Sequence, residues 1–203
     1  TEVYELRKEQ RQVTVFYQSD KLRLWWGNLN DTWRDIFAAH TLCNTNPTDE
    51  QLQTIVNIEE LTIDPSYMVY TLEPLSQMYF IKKLVVNNNQ IQDLSPLSDK
   101  YFLETLLKEL KIENTPVSDL NPVTDLKNIK ILNIGGTYVH NLKPLAGMMS
   151  LEDLSIVNTN VKNIEPLLSL SSMRHLKAYK TKIKRKSIEL IKEKMPDLNV
   201  IYY

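Results

Sequence analysis

A step of 22 residues carries Leu110 to Leu132, Leu154, Leu176 and Leu198, and this recurrence constrains the chain more than anything else in it. The same step takes Ile112 to Ile134, Ile156, Ala178 and Val200, and Thr115 to Thr137, Thr159 and Thr181. Val117 returns as Val139, Val161 and Ile183, and Pro122 as Pro144 and Pro166. A fixed period of this length marks a stacked array of short units, each too small to bury its own apolar side chains. Such units gain a core only against their neighbours, so the array is a solenoid with one long face free of packing duty.

Within one period the positions divide by chemistry. Leu and Ile alternate with polar residues over a strand-length stretch, so the strands point one set of side chains inward and line up in parallel from coil to coil. The column Asn89, Thr115, Thr137, Thr159 and Thr181 sits where the chain leaves the strand, and its side chains are suited to bond the buried turn backbone. Prolines 96, 122, 144 and 166 fall on the return side, where no ladder N–H is needed. The spacing predicts an α/β solenoid with the parallel sheet on its concave face and a convex side of mostly 3-10 or extended chain. One step is irregular. Leu84 to Leu110 is 26 residues, and the four extra fall in Ser98–Leu106, where we expect one added helical turn burying Phe102, Leu103, Leu106 and Leu107.

Before the coils, Asn30 suits a helix N-cap with Trp33, Ile36, Phe37 and His40 on one face. Thr48 and Gln51 have capping-box spacing ahead of Leu52, Ile55 and Val56. Residues 1–57 are read as a helical N-terminal cap; the secondary structure of Val13–Tyr17 stays open between strand and helix. Residues 58–186 are about six coils. Residues 187–203 close the array with an amphipathic helix at Ser187–Lys194, ended by Pro196, and a last strand at Leu198–Val200. The folding unit reads as complete. The chain begins at Thr1 rather than Met, so an upstream piece is expected.

Thr115-Pro116-Val117-Ser118-Asp119-Leu120-Asn121-Pro122-Val123 and Thr159-Asn160-Val161-Lys162-Asn163-Ile164-Glu165-Pro166-Leu167 resemble the leucine-rich repeat of the internalin type. The front helices, Leu29–Phe37 and Pro47–Leu52, look like the cap of such proteins from Bacteroidetes. What the resemblance implies is a leucine-rich repeat horseshoe acting as a non-catalytic recognition module, often secreted or surface-displayed, that binds proteins on its concave sheet.

Composition removes several alternatives. Four glycines leave no phosphate-cradling loop, and a single cysteine, Cys43, excludes an intramolecular disulfide or a cysteine zinc cluster. No apolar run approaches a membrane span. A net charge of −1 gives no blanket affinity for nucleic acid. His40 and Cys43 lie three apart, without the third group a nucleophile–base pair needs, and His140 and His175 have no metal-type companion. No catalytic residue, metal or cofactor is expected. Asn30-Asp31-Thr32 forms a glycosylation sequon, but Asn30 is better used as a cap.

The candidate site is the row of outward strand positions: Val85, Asn87, Lys111, Glu113, Ile131, Asn133, Asp153, Ser155, Val157, His175, Lys177 and Tyr179. Val85, Ile131, Val157 and Tyr179 are apolar or aromatic where packing asks for nothing of the kind, which suits an interface with Tyr179 as anchor. We expect a protein or peptide partner, a monomer, no nucleic acid, and a location outside the cytoplasm. The alternative is a glycan held by Tyr179 and the cap aromatics Trp25, Trp26 and Trp33, or an anionic ligand on the basic stretch Arg174–Lys194. That stretch holds nine basic residues against Glu189 and Glu193, whereas Asp35–Ile81 holds seven acids and no Lys or Arg.

Overall fold

The computed structural model describes residues 19–44, 46–98 and 106–203, which fall into two units divided at Asn57–Ile58. Among the described residues the first contains three helices: α1 (Ser19–Asn28), α2 (Asp31–Thr41) and α3 (Asp49–Val56). The sequence reading placed the last two. Both expected caps are present. Asn30 Oδ1 accepts from the Trp33 N–H at 2.9 Å. Thr48 and Gln51 form the reciprocal capping box at 3.3 and 2.9 Å. Trp33, Ile36 and Phe37 turn inward, with the Trp33 and Phe37 rings 5.3 Å apart and the Trp25 ring 5.5 Å from Phe37. Arg34 ties α2 to the end of α1 by donating to the last-turn carbonyls of Trp26 and Gly27 at 3.3 and 2.9 Å.

The second unit is a stack of strands in chain order: β1 (Glu60–Thr62), β2 (Lys83–Val85), β3 (Glu109–Lys111), β4 (Ile131–Asn133), β5 (Asp153–Ser155), β6 (His175–Lys177) and β7 (Asn199–Ile201). All six pairings are parallel, and Leu61, Leu84, Leu110, Leu132, Leu154 and Leu176 form one continuous buried row. The returns after β1 to β5 each contain a 3-10 turn with proline in second place, at Pro74, Pro96, Pro122, Pro144 and Pro166. Proline's missing N–H costs nothing there, because a first-turn donor would have no partner within the turn.

The Thr column works as its chemistry predicts. Thr115, Thr137 and Thr159 each donate to the carbonyl three residues back at 2.7 Å, inside the core. The residue before each turns the corner in the left-handed region: Asn88, Asn114, Gly136, Asn158 and Lys180, with φ between 54 and 67°. Asn and Gly tolerate that conformation; a lysine has no compensating local bond and is strained by it. Lys180→Asn is therefore expected to stabilise the protein by about 0.5–1 kcal/mol, read as a higher denaturation midpoint.

Two expectations need correction. The 22-residue step put Leu198 opposite Leu176, but β7 pairs with Val200 opposite Leu176 and Ile201 opposite Lys177. The helix α4 (Arg185–Lys194), which starts two residues before the expected Ser187, replaces the 3-10 return of the other coils. An α-helix rises less per residue than a 3-10 turn or extended chain, so the return takes more residues. The shift is two residues, which preserves which side of the strand faces in. The expected extra turn at Ser98–Leu106 lies mostly outside the described residues. At its end Leu107 is buried as expected, whereas Leu106 is exposed and residues 106–108 enter β3 without helix.

Candidate functional site

The exposed face of the sheet is built by position alone. The residues on either side of the buried leucine row point outward, giving one row of Glu60, Lys83, Glu109, Ile131, Asp153, His175 and Asn199 and another of Thr62, Val85, Lys111, Asn133, Ser155, Lys177 and Ile201. A third row follows at Asn87, Glu113, Val157 and Tyr179, held because the parallel ladder runs on past the strands: Asn88 N–H to Glu113 O at 2.7 Å, Asn158 N–H to Tyr179 O at 3.1 Å.

Neighbouring coils lie about 4.8 Å apart, so charges in one row meet. Lys83 pairs with Glu60 at 3.8 Å across two strands, and Lys111 with Glu109 at 2.6 Å along one strand. His175 Nδ1 donates to Asp153 Oδ1. Asn133 Nδ2 donates to Glu113 Oε2 at 3.1 Å, and Asn87 Oδ1 accepts from the Glu113 N–H at 2.8 Å. At the edge where the chain enters the strands, Lys82–Glu59 and Lys130–Glu152 close at 2.6 and 2.5 Å. Each carboxylate of β2–β6 on this face thus has a cation or an amide beside it. Lys108, Arg174 and Lys177 have no carboxylate partner among the described residues, so the charge left over is positive.

A shallow groove of about 420 Å³ lies over β3–β7. It gathers seven of the candidate residues: Lys111, Ile131, Asn133, Asp153, Ser155, His175 and Lys177. Val85, Asn87, Glu113, Val157 and Tyr179 lie on the same face outside the groove. Asn199 and Ile201 also line it, and the sequence reading missed both because it ended its rows at His175, Lys177 and Tyr179. The signal was present, since the 22-residue step carries Lys177 to Asn199 and Tyr179 to Ile201. Ile131 and Ile201 are half-buried apolar walls, with the Lys111 and Lys177 chains between and beside them. Gly135, next along its coil, is buried beneath Asn133, whose Oδ1 accepts its N–H at 3.0 Å.

The other candidates separate from this face. Trp26 and Trp33 are buried within the first unit, so their rings offer no platform to a ligand; Trp25 is half-buried. His40 Nδ1 donates to the Ile36 carbonyl at 2.8 Å, and Cys43 is buried, so neither is poised for chemistry. Among the described residues no group of three or more His, Cys, Asp or Glu could hold a metal, and no helix is long and apolar enough to cross a membrane. On the return side Asp93 caps a turn: the Ser95 hydroxyl and then its backbone N–H hold the carboxyl below its ordinary value.

No family model matches the chain, and no curated protein does. Solved structures are similar to it. An internalin (InlF) of Listeria monocytogenes superposes with a TM-score of 0.66 at 20% identity, covering 86% of this chain and 56% of its own. Internalin C2 of the same organism gives 0.64 at 24% identity, covering 85% of this chain and 82% of its own. A leucine-rich repeat protein of Leptospira interrogans gives 0.64 at 20%, covering 77% and 39%. The chain thus spans little more than half the length of the first and well under half of the third. These likenesses establish the fold as an internalin-type leucine-rich repeat solenoid, preceded in sequence by helices. The likeness of those front helices to Bacteroidetes proteins rests on the sequence alone.

Proposed function

We propose that this chain is a recognition module that takes a protein or peptide partner on the exposed face of its sheet. One observation carries the reading: the groove over β3–β7 places the apolar walls Ile131 and Ile201 beside Lys177, a cation with no carboxylate of its own, on a rigid seven-stranded support. Apolar anchors ringed by polar groups are what interfaces use, and a preordered surface spares the partner the cost of ordering it. The unpaired cations select a segment carrying carboxylates beside an aliphatic or aromatic anchor. The front helices and α4 are proposed as caps for the two ends of the stack, with the boundaries 1–57, 58–186 and 187–203. Following the internalin likeness, the module acts without catalysis, as a monomer, outside the cytoplasm.

Selection from a displayed random-peptide library tests this. Binders are expected to be enriched in Asp or Glu next to a large apolar residue. Ile131→Arg with Lys177→Glu is expected to weaken them by about a hundredfold or more, since central interface anchors are worth about 2 kcal/mol or more each. Lys127→Glu, on the far side of the coil, should leave them unchanged. A selection that yields nothing dependent on Ile131 and Lys177 would sink the reading.

A further inference from the structure

A second surface lies on the flank where the chain leaves the sheet. There the buried Val139, Val161 and Ile183 alternate with outward residues that stack in two rows: Tyr138, Asn160 and Lys182, and beside them His140, Lys162 and Lys184. The backbone fixes these rows. Tyr138 N–H bonds the Val117 carbonyl of the preceding coil at 2.9 Å, and Lys182 N–H bonds that of Val161 at 3.0 Å. Adjacent members of a row are therefore about 4.8 Å apart, on a support that does not yield.

We propose that this flank docks an acidic polysaccharide, a linear sugar polymer bearing sulfate or carboxylate groups. Three observations lead there. The first is unbalanced charge. Residues 158–203 hold ten Lys and Arg against four Asp and Glu, whereas residues 1–157 hold fourteen against twenty-one. Among the described residues, Lys82, Lys83, Lys111, Lys127 and Lys130 each have a carboxylate partner, while Lys162, Lys182 and Lys184 have none. The nearest acids in the chain are already engaged: Glu165 accepts from Asn163 Nδ2 at 3.2 Å, and Glu189 from Arg185 Nε at 2.9 Å. Three ammonium groups rooted this close repel one another, and an anion lodged between them removes that repulsion.

The second is chemistry. Tyr138 is 62% exposed, an aromatic face open to water beside the amide of Asn160. An aromatic face takes the apolar side of a sugar ring, and an amide both donates to and accepts from hydroxyls. The third is shape. The rows run along the stacking axis, which suits a linear polymer better than a planar membrane. Single-stranded nucleic acid is disfavoured because successive bases need successive aromatics along the charge track, and here one tyrosine stands at its end.

Titration of the intact chain with sulfated dextran, uncharged dextran and single-stranded DNA of matched charge tests the assignment. Sulfated dextran is expected to bind with strong salt dependence, and uncharged dextran to show no binding at the same concentration. Lys162→Gln with Lys184→Gln should weaken binding at least tenfold and flatten the log–log salt slope by roughly 1 to 2, as fewer counterions are released. Tyr138→Ala should weaken binding about five- to tenfold with the slope unchanged, because it removes a contact and no charge. All these side chains are exposed, so unchanged melting curves identify folded variants. Three results each overturn the assignment: no binding to sulfated dextran, no effect of Tyr138→Ala, or tighter binding of the DNA with the same dependence on Lys162 and Lys184. Ile131→Arg on the sheet face is expected to leave this binding intact, so the two surfaces stand or fall separately.

Discussion

Leu110→Ala is expected to destabilise the solenoid by about 3–5 kcal/mol, read as a fall in the denaturant midpoint with the slope of the transition preserved. Leu110 is fully buried at the centre of the sheet, in register between Leu84 and Leu132. Truncation opens a space bounded on both sides by rigid coils, so the surroundings have little freedom to close it. In a stack whose stability is the sum of coils and the interfaces between them, one leucine serves two interfaces at once. The loss is a large share of the roughly 5–15 kcal/mol a domain commonly has. The contrast is Val200→Ala on the edge strand β7, where one neighbouring coil is present and the side chain is half-buried; there the expected cost is about 1 kcal/mol. Equal losses at the two sites would mean that the coils do not share their cores in this way.

Asn89→Ala is expected to cost about 2–4 kcal/mol, and Asn89→Thr should fail to restore most of it. Asn89 stands in the column that later coils fill with threonine, but its reach is different. Each of those threonines bonds the carbonyl three residues back in its own coil. Asn89 crosses to the preceding coil, where Oδ1 accepts from the Val69 N–H at 2.5 Å and Nδ2 donates to the Tyr67 carbonyl at 3.0 Å. The side chain is 2% exposed, so truncation strands a buried donor and acceptor, each worth about 1–3 kcal/mol when left unpaired. Threonine is too short to span the coils. Urea melts of both variants decide it: an Asn89→Thr protein as stable as the parent would mean that the cross-coil bonds carry no weight.

Much of this architecture is written along one dimension. The repeat of Leu110, Leu132 and Leu154 makes a strand of each coil, and parity then sends Ile131, Asp153 and His175 to the open face. The caps at Asn30 and Thr48 are equally local, because a side chain and an N–H two or three residues on decide them. Those features need no knowledge of neighbours. Trp26 and Trp33 show the opposite case: an aromatic is equally at home in a core or on a binding surface, and only the packing of α1 and α2 puts both inside.

The sequence by itself therefore determined the period, the inward and outward rows and the family of fold, since side-chain alternation and local hydrogen bonding are properties of a few consecutive residues. The tertiary structure alone decided which outward residues meet. Lys82 finds Glu59, His175 finds Asp153 and Asn89 finds Tyr67 because whole coils, 22 or so residues long, stack about 4.8 Å apart. It also decided the seat of β7. The number of residues needed to return to the sheet depends on whether the return is an α-helix or a 3-10 turn, and that set Val200 rather than Leu198 opposite Leu176, with Asn199 opposite His175 and Ile201 opposite Lys177 in the groove.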